Sequence, residues 1–202
     1  MMKSSYLVAS LVLLSACVSG SATPPPLPPP PPPAAPAPVA DGATEPAPAP
    51  TLDDLVGHYR YSGGTEDEEA RDAAVEKTVA EVFLLGRGMA REKILVACAI
   101  DDEIDIRREG DLFVIKLADR FLLKTGLSVP PVTIVGTDGD DLALTFEQRG
   151  AQLVQLAQGE RGGTRRVFTP DGKGGMTLQV TIFAPRLAVP VDYLVHYRRV
   201  ED

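Results

Sequence analysis

From Glu103 to Val200 the chain is a succession of short segments in which apolar and polar residues alternate, separated by turns such as Glu109-Gly110-Asp111 and Gln148-Arg149-Gly150. Alternation with a period of two is typical of strands that bury one face. Turns spaced about 8–12 residues apart are typical of antiparallel barrels and sandwiches. We therefore predict a mainly β domain over residues 52–202, an antiparallel barrel or sandwich. Closure into a barrel would remove the exposed sheet edges that such a meander otherwise leaves.

A helical pattern lies between the first predicted strand, which contains His58-Tyr59-Arg60-Tyr61, and the second, which begins near Glu103. Thr65 to Glu68 has the form of a capping box. Helical spacing of apolar residues follows, at Val75, Val79, Val82, Phe83 and Met89. We therefore predict one helical segment from about Glu66 to Val96, weakened at Gly86 and Gly88.

Residues 17–51 have a composition that cannot build a packed core. Proline fills positions 24–26 and 28–33 without interruption, and alanine and small polar residues supply much of the rest. Such a chain adopts polyproline II and acts as a semi-rigid spacer that rises ~3.1 Å per residue. We predict a Pro/Ala-rich linker; a ligand for a proline-binding module is the alternative.

The first sixteen residues have the pattern of an export signal. Met1-Met2-Lys3 gives a basic start, and the apolar run Tyr6 to Leu14 is about half the length of a membrane-spanning helix. Leu14-Ser15-Ala16-Cys17 resembles the lipobox of bacterial lipoproteins. The resemblance implies that residues 1–16 are removed and that Cys17 carries acyl chains such as palmitate, enough to anchor the protein stably in a membrane. Val18, in place of aspartate, implies the outer membrane of a Gram-negative cell envelope.

Charge and cysteine content narrow the partners. The formal net charge of −8 gives no electrostatic reason to bind nucleic acid or an anionic lipid surface. Membrane attachment is therefore expected through Cys17 alone. Cys98 then has no partner for an internal disulfide, and its apolar neighbours predict a small buried hydrophobic side chain rather than a reactive thiol.

The start of the predicted domain, Leu55-Val56-Gly57-His58-Tyr59, is similar to the Gly-x-Trp opening of the calycin superfamily, with Tyr59 at the tryptophan position. The order of elements, and the strand and turn rhythm of residues 110–116 and 151–164, resemble fatty-acid-binding proteins and lipocalins. The resemblance implies an antiparallel up-and-down, lipocalin-like barrel with a helix between its first and second strands. It also implies that the barrel holds a small apolar ligand, a lipid or fatty acid, without a cofactor. The family's closing Arg-x-Tyr, which holds a ligand carboxylate, matches only at Tyr197, because Val195 occupies the arginine position.

Alternation assigns side chains to the inside of the barrel. The candidate ligand-binding residues are the inward tyrosines of the first and last strands and the apolar residues of the strand before the last: Tyr59, Tyr61, Tyr193, Tyr197, Leu178 and Val180. Packing of the core is the alternative role for the tyrosines, whose hydroxyls need partners when buried. In the pair Arg165-Arg166 one arginine points inward, where it could contact a buried anion.

Both histidines lie in a His-Tyr-Arg triplet, one in the first strand (His58) and one in the last (His196). Alternation places both outside, and barrel closure makes their strands neighbours, so we predict an exposed cross-strand pair. A metal site would need further ligands at a recognisable spacing. No metal site is therefore predicted.

The sequence is compatible with two functions. The predicted domain contains only Ser62 and Ser128 as serine nucleophiles, neither in a strand-to-helix elbow, and we expect no enzyme. One function is binding of a small apolar ligand in the barrel. The alternative is a structural or assembly lipoprotein with a filled barrel that acts through protein–protein contacts. A lumen of ~300 Å³ or more favours the first, and a lumen closed by Phe113, Phe146 and Phe183 favours the second.

Overall fold

The computed structural model describes residues 49–118, 121–136 and 139–200, which form ten antiparallel strands and two helices. The strands are β1 Gly57–Tyr61, β2 Glu103–Glu109, β3 Leu112–Leu117, β4 Phe121–Gly126, β5 Val132–Val135, β6 Asp141–Arg149, β7 Gln152–Gly159, β8 Gly162–Pro170, β9 Gly175–Phe183 and β10 Val191–Arg199. The helices, α1 Gly64–Ala80 and α2 Arg87–Ala97, both lie between β1 and β2. The predicted fold class is thus confirmed. The predictions for residues 1–16, Cys17 and most of the linker lie outside the described residues.

The strands form a single sheet in the order β4-β3-β2-β1-β10-β9-β8-β7-β6-β5. Every named pair is antiparallel, and β1 joins β2 on one side to β10 on the other. After β4, Leu127 bridges to Phe146 of β6, and the Ser128 N–H donates to the Phe146 carbonyl at 2.9 Å. The barrel is therefore nearly closed, with β4 and β5 as the ends of the sheet.

Alternation along the strands produces the core. In β10 the buried positions are Val191, Tyr193, Val195 and Tyr197, and the residues between them are exposed. A short 3-10 turn, Leu52–Leu55, covers one end of the barrel and buries both leucines. Arg199, at the end of β10, donates to the Asp54 carbonyl of this turn and lies over the Tyr59 ring at 5.5 Å.

The helical segment differs from the prediction in two ways. A capping box at Thr65 does not form: α1 begins at Gly64 after Gly63, with no side-chain cap. Thr65 therefore lies inside the first turn of α1 rather than at its N-cap. Asp67 of the same turn faces β10, where its carboxylate accepts hydrogen bonds from the His196 backbone N–H at 2.6 Å and from Nδ1 at 2.8 Å. These bonds attach the first turn of α1 to the barrel.

The predicted single helix is also broken in two, between Ala80 and Arg87. Phe83 adopts an extended backbone with ψ 136°, and a 3-10 turn, Leu84–Gly86, follows. The Arg87 guanidinium donates to the carbonyls of Ala80, at 2.6 Å, and Val82, at 2.9 Å, and so satisfies the end of α1. Within the described residues, neither helix has the length and hydrophobicity that crossing a bilayer requires.

Candidate ligand-binding lumen

The strand register places five inward side chains side by side across one half of the barrel. Phe146 lies opposite Gln155, Gln155 opposite Arg166, Arg166 opposite Val180, and Val180 opposite Tyr193. We call this row the polar tier. It brings an amide, a guanidinium and a phenol to the same level of an otherwise apolar interior.

Apolar tiers lie on both sides of the polar tier. On the side of the Leu52–Leu55 turn, the neighbouring row is Leu153, Phe168, Leu178 and Val195, at most 3% exposed. On the other side the row is Leu144, Ala157, Thr164, Ile182 and Val191, in which Thr164 and Ile182 are partly exposed. The barrel is therefore fully packed between the polar tier and the Leu52–Leu55 turn, and less tightly closed on the other side of the tier.

The polar tier contains one donor without a partner. Arg166 Nη1 donates to Gln155 Oε1 at 3.0 Å. Gln155 is 0% exposed, and its Nε2 has no hydrogen-bond partner among the described residues. A buried donor left unsatisfied costs roughly 1–3 kcal/mol. This amide therefore marks a place where an acceptor in the lumen would be stabilised.

The segment between α2 and β2, residues 98–102, is held against the lumen by two tyrosines of β10. Tyr193 Oη donates to the Cys98 carbonyl at 3.2 Å, and Tyr197 Oη donates to the Asp101 carbonyl at 2.9 Å. We call residues 98–102 the connecting segment. Burial raises the pKa of both phenols well above the ordinary value, so both are donors at all physiological pH values.

A cavity of about 10 Å³ lies between the connecting segment and the barrel wall. Its lining contains the side chains of Arg166, Leu178, Val180, Tyr193, Val195 and Tyr197, together with Ala97, Ala99, Ile100 and Asp101. This volume accommodates about one water molecule. The lumen is thus closed in this conformation, and Phe113 and Phe146, each 1% exposed, fill other parts of it; Phe183 is only partly buried.

Four of the six residues predicted for the site line this cavity: Leu178, Val180, Tyr193 and Tyr197. The two tyrosines of β1 lie elsewhere. Tyr59 is 0% exposed and donates to the Asp54 carbonyl at the end covered by the 3-10 turn. Tyr61 packs edge-on against the Tyr197 ring at 6.0 Å and donates to the Gly64 carbonyl.

Gln155 was missed by sequence reasoning, and Arg166 was identified only as one of two arginines that could point inward. A glutamine in an alternating strand gives no signal of a lumen role, because its apolar neighbours predict only the side of the sheet. The cross-strand register that opposes Gln155 and Arg166 is set by contacts far apart in sequence. Arg166 nevertheless supplies the lumen cation that Val195 does not.

The predicted histidine pair does not form. Both side chains lie outside, but the β1–β10 register pairs Tyr61 with Tyr197, so that Ser62 donates to the His196 carbonyl and Val200 to that of His58. The two histidines are therefore at opposite ends of the strand pair. His58 lies 3.7 Å from Glu103, beside an outer concavity of about 420 Å³. No group of three or more potential metal ligands is assembled in the described ranges.

Cys98 is 0% exposed, as the sequence predicts. Burial raises the pKa of its thiol to about 11. The thiol is therefore protonated at neutral pH, and this position carries no nucleophile.

No protein-family model and no curated protein matches the chain. Among solved structures, the chain is similar to lipid binding protein 8 of Caenorhabditis elegans: TM-score 0.50, 11% identity, 75% of this chain and 99% of that one. A fatty-acid-binding protein from Drosophila melanogaster brain has a TM-score of 0.46 and 17% identity, and the match covers 71% of this chain and 98% of that one. The REP1-NXSQ fatty acid transporter has a TM-score of 0.47 and 20% identity, and the match covers 74% of this chain and 98% of that one. At these identities the likeness establishes the fold alone, a barrel of the fatty-acid-binding-protein type.

Proposed function

We propose that the protein binds a small apolar molecule with an anionic head group, a lipid or fatty acid, in the barrel lumen, without acting on it as an enzyme. The observation that carries the proposal is the polar tier, where Gln155 presents an unpartnered buried amide beside Arg166. The fold shared with a lipid binding protein supports it.

The chemistry of the tier favours an anionic oxygen. A carboxylate beside Arg166 would accept a charge-assisted hydrogen bond, which is roughly twice as strong as a neutral one, and would also satisfy Gln155 Nε2. Because the tier towards the Leu52–Leu55 turn is fully packed, the apolar part of the ligand would extend the other way. Each methylene buried there contributes about 0.8 kcal/mol.

Binding requires a change in the connecting segment. The present cavity of about 10 Å³ is too small for an organic ligand. One wall of it consists of Ala97, Ala99, Ile100 and Asp101. Displacement of that wall would open the lumen on the side of the polar tier that faces away from the Leu52–Leu55 turn. The ligand must therefore release the hydrogen bonds from Tyr193 and Tyr197 to the segment.

Calorimetric titration of the purified full chain with decanoate tests the proposal. Arg166→Met and Gln155→Leu are expected to weaken binding about tenfold or more, the loss of roughly one charge-assisted hydrogen bond. Leu194→Ala is the matched control, since this β10 side chain points outward and is 41% exposed. Decanoate binding that is absent from the native chain, or unchanged in both lumen variants, would contradict the proposal.

The cellular location of the protein is a separate proposal. Acyl chains on Cys17 would anchor it in the cell envelope, in the outer membrane, with residues 18–51 as a spacer. The acidic composition supports this, because a net charge of −8 offers no electrostatic route to an anionic membrane. Cys17→Ser is expected to move the protein into the soluble fraction. Continued sedimentation of that variant with membranes would contradict lipid anchoring.

The closed lumen favours a second function, a structural or assembly protein of the envelope. Apolar side chains on and between the two helices are also strongly exposed: Phe83 77%, Leu84 71%, Met89 68% and Val96 71%. Exposed apolar patches commonly mark protein–protein contacts. Native mass spectrometry of the full chain purified from cells separates the two functions, because only the first predicts a co-purified apolar molecule lost in Arg166→Met.

A further inference from the structure

We propose that Asp101 of the connecting segment is an internal competitor for the ligand, its carboxylate taking the place beside Arg166 that an anionic head group would occupy. This inference rests on the proposed ligand-binding function. In the closed conformation the anion position in the lumen is then filled by a carboxylate of the protein itself.

The cavity brings the two residues together. Asp101 and Arg166 line the same cavity of about 10 Å³, which accommodates about one water molecule. Asp101 is 7% exposed, so its carboxylate is withdrawn from solvent. Its backbone is fixed there by Tyr197, which donates to the Asp101 carbonyl at 2.9 Å.

Charge balance supports the pairing. Among the described residues that line this cavity, Arg166 carries the only positive charge and Asp101 the only negative charge. A carboxylate is buried at acceptable cost only when a cation or hydrogen-bond donors compensate it. Both charges act on the Tyr197 phenol, whose pKa is raised mainly by burial and further by Asp101, and lowered by Arg166.

Competition of this kind sets both specificity and affinity. A ligand carboxylate replaces Asp101 charge for charge, so Arg166 stays paired while the connecting segment moves into water. A neutral ligand that displaced the segment would leave the partly buried guanidinium without its carboxylate, which is unfavourable. The apparent affinity for anionic ligands is in turn the intrinsic affinity multiplied by the fraction of molecules in which Asp101 has left the site.

Asp101→Asn tests the competition directly. The amide keeps the size of the side chain and removes its charge, so the variant is expected to bind decanoate about tenfold more tightly than the native chain. Asp102→Asn is a matched control because it removes the same charge from the next residue. Asp102 is exposed and lines the outer concavity rather than the lumen, and its substitution is expected to leave the affinity unchanged.

A second measurement uses the native chain and does not depend on the stability of the variant. Decanoate should accelerate amide hydrogen exchange in residues 98–102 as the segment is expelled, and should leave β7 and β8 protected. The inference is overturned if Asp101→Asn binds no more tightly than Asp102→Asn, or if decanoate binds and slows exchange in this segment. Binding lost only in Arg166→Met would then leave the proposed function standing, whereas absence of binding in every protein would overturn both.

Discussion

Replacing Tyr193 and Tyr197 by phenylalanine removes the two hydroxyls that hold the connecting segment to β10 and keeps the rings that pack the core. In the native protein these hydroxyls donate to the carbonyls of Cys98, at 3.2 Å, and Asp101, at 2.9 Å. Cys98 is 0% and Asp101 7% exposed, so water cannot easily replace the lost donors. Each substitution therefore leaves a buried carbonyl with one donor fewer.

The expected cost follows from the burial of these bonds. A hydrogen bond contributes about 0.5–1.5 kcal/mol net, and stranding a buried partner raises the cost towards ~1–3 kcal/mol. We expect each single substitution to lower the free energy of unfolding by about 1–2 kcal/mol. The double variant should lose less than the sum, because both bonds hold the same segment and one loss loosens the other.

Tyr61→Phe is the matched control, since its hydroxyl also donates to a carbonyl, that of Gly64 at 2.7 Å, but in an exposed place. Urea unfolding of the full chain measures the global cost, and amide hydrogen exchange measures local release. In the double variant, residues 98–102 should exchange about tenfold to a hundredfold faster, at 1.4 kcal/mol per tenfold. A loss of unfolding free energy below ~0.5 kcal/mol, or faster exchange spread evenly over the barrel, would refute the idea that these two hydroxyls hold the connecting segment in place.

Two further results are expected. Because burial raises the Cys98 thiol pKa from 9.0 to about 11, the native thiol should resist iodoacetamide at pH 8 and react once urea unfolds the chain. As pH rises, the thiol ionises in the unfolded chain before it does in the folded one. Its contribution to the free energy of unfolding is therefore complete below about pH 9 and is lost as pH rises through 11. Cys98→Ala should make the free energy of unfolding less dependent on pH over that window, and an unchanged dependence would contradict this. Asp67→Ala should cost ~2–3 kcal/mol in urea unfolding at pH 7, and His196→Gln less, because the backbone donor to Asp67 remains; equal costs would place the whole interaction in the ring.

The strands were predictable because a barrel wall has an apolar inside and a polar outside, which imposes a period of two on the sequence. Even β5, Val132–Val135, lies where the pattern places it. The break between the helices was less accessible, because apolar spacing continues through Val82 and Phe83. The contact that satisfies the end of α1 comes from beyond the break, where the Arg87 guanidinium reaches back to the carbonyls of Ala80 and Val82.

The candidate site was only partly predictable for a related reason. Alternation tells which side of a strand faces inward, and it brought Tyr193, Tyr197, Leu178 and Val180 to the lumen. It does not tell which residues of different strands share a level. The opposition of Gln155 and Arg166, and the displacement of His58 from His196, both follow from register, which depends on pairing along the whole sheet.

Register also gives a physical meaning to the incomplete Arg-x-Tyr of the last strand. With Val195 in the arginine position, the lumen cation is Arg166 on β8, two strands from β10, and Tyr193 and Tyr197 bind main-chain carbonyls of the connecting segment instead. The two tyrosines of the last strand thus make contacts that close the lumen. Under the proposed function, a ligand that reaches Arg166 would first have to break them, so its affinity would depend as much on release of the connecting segment as on contacts to the ligand itself.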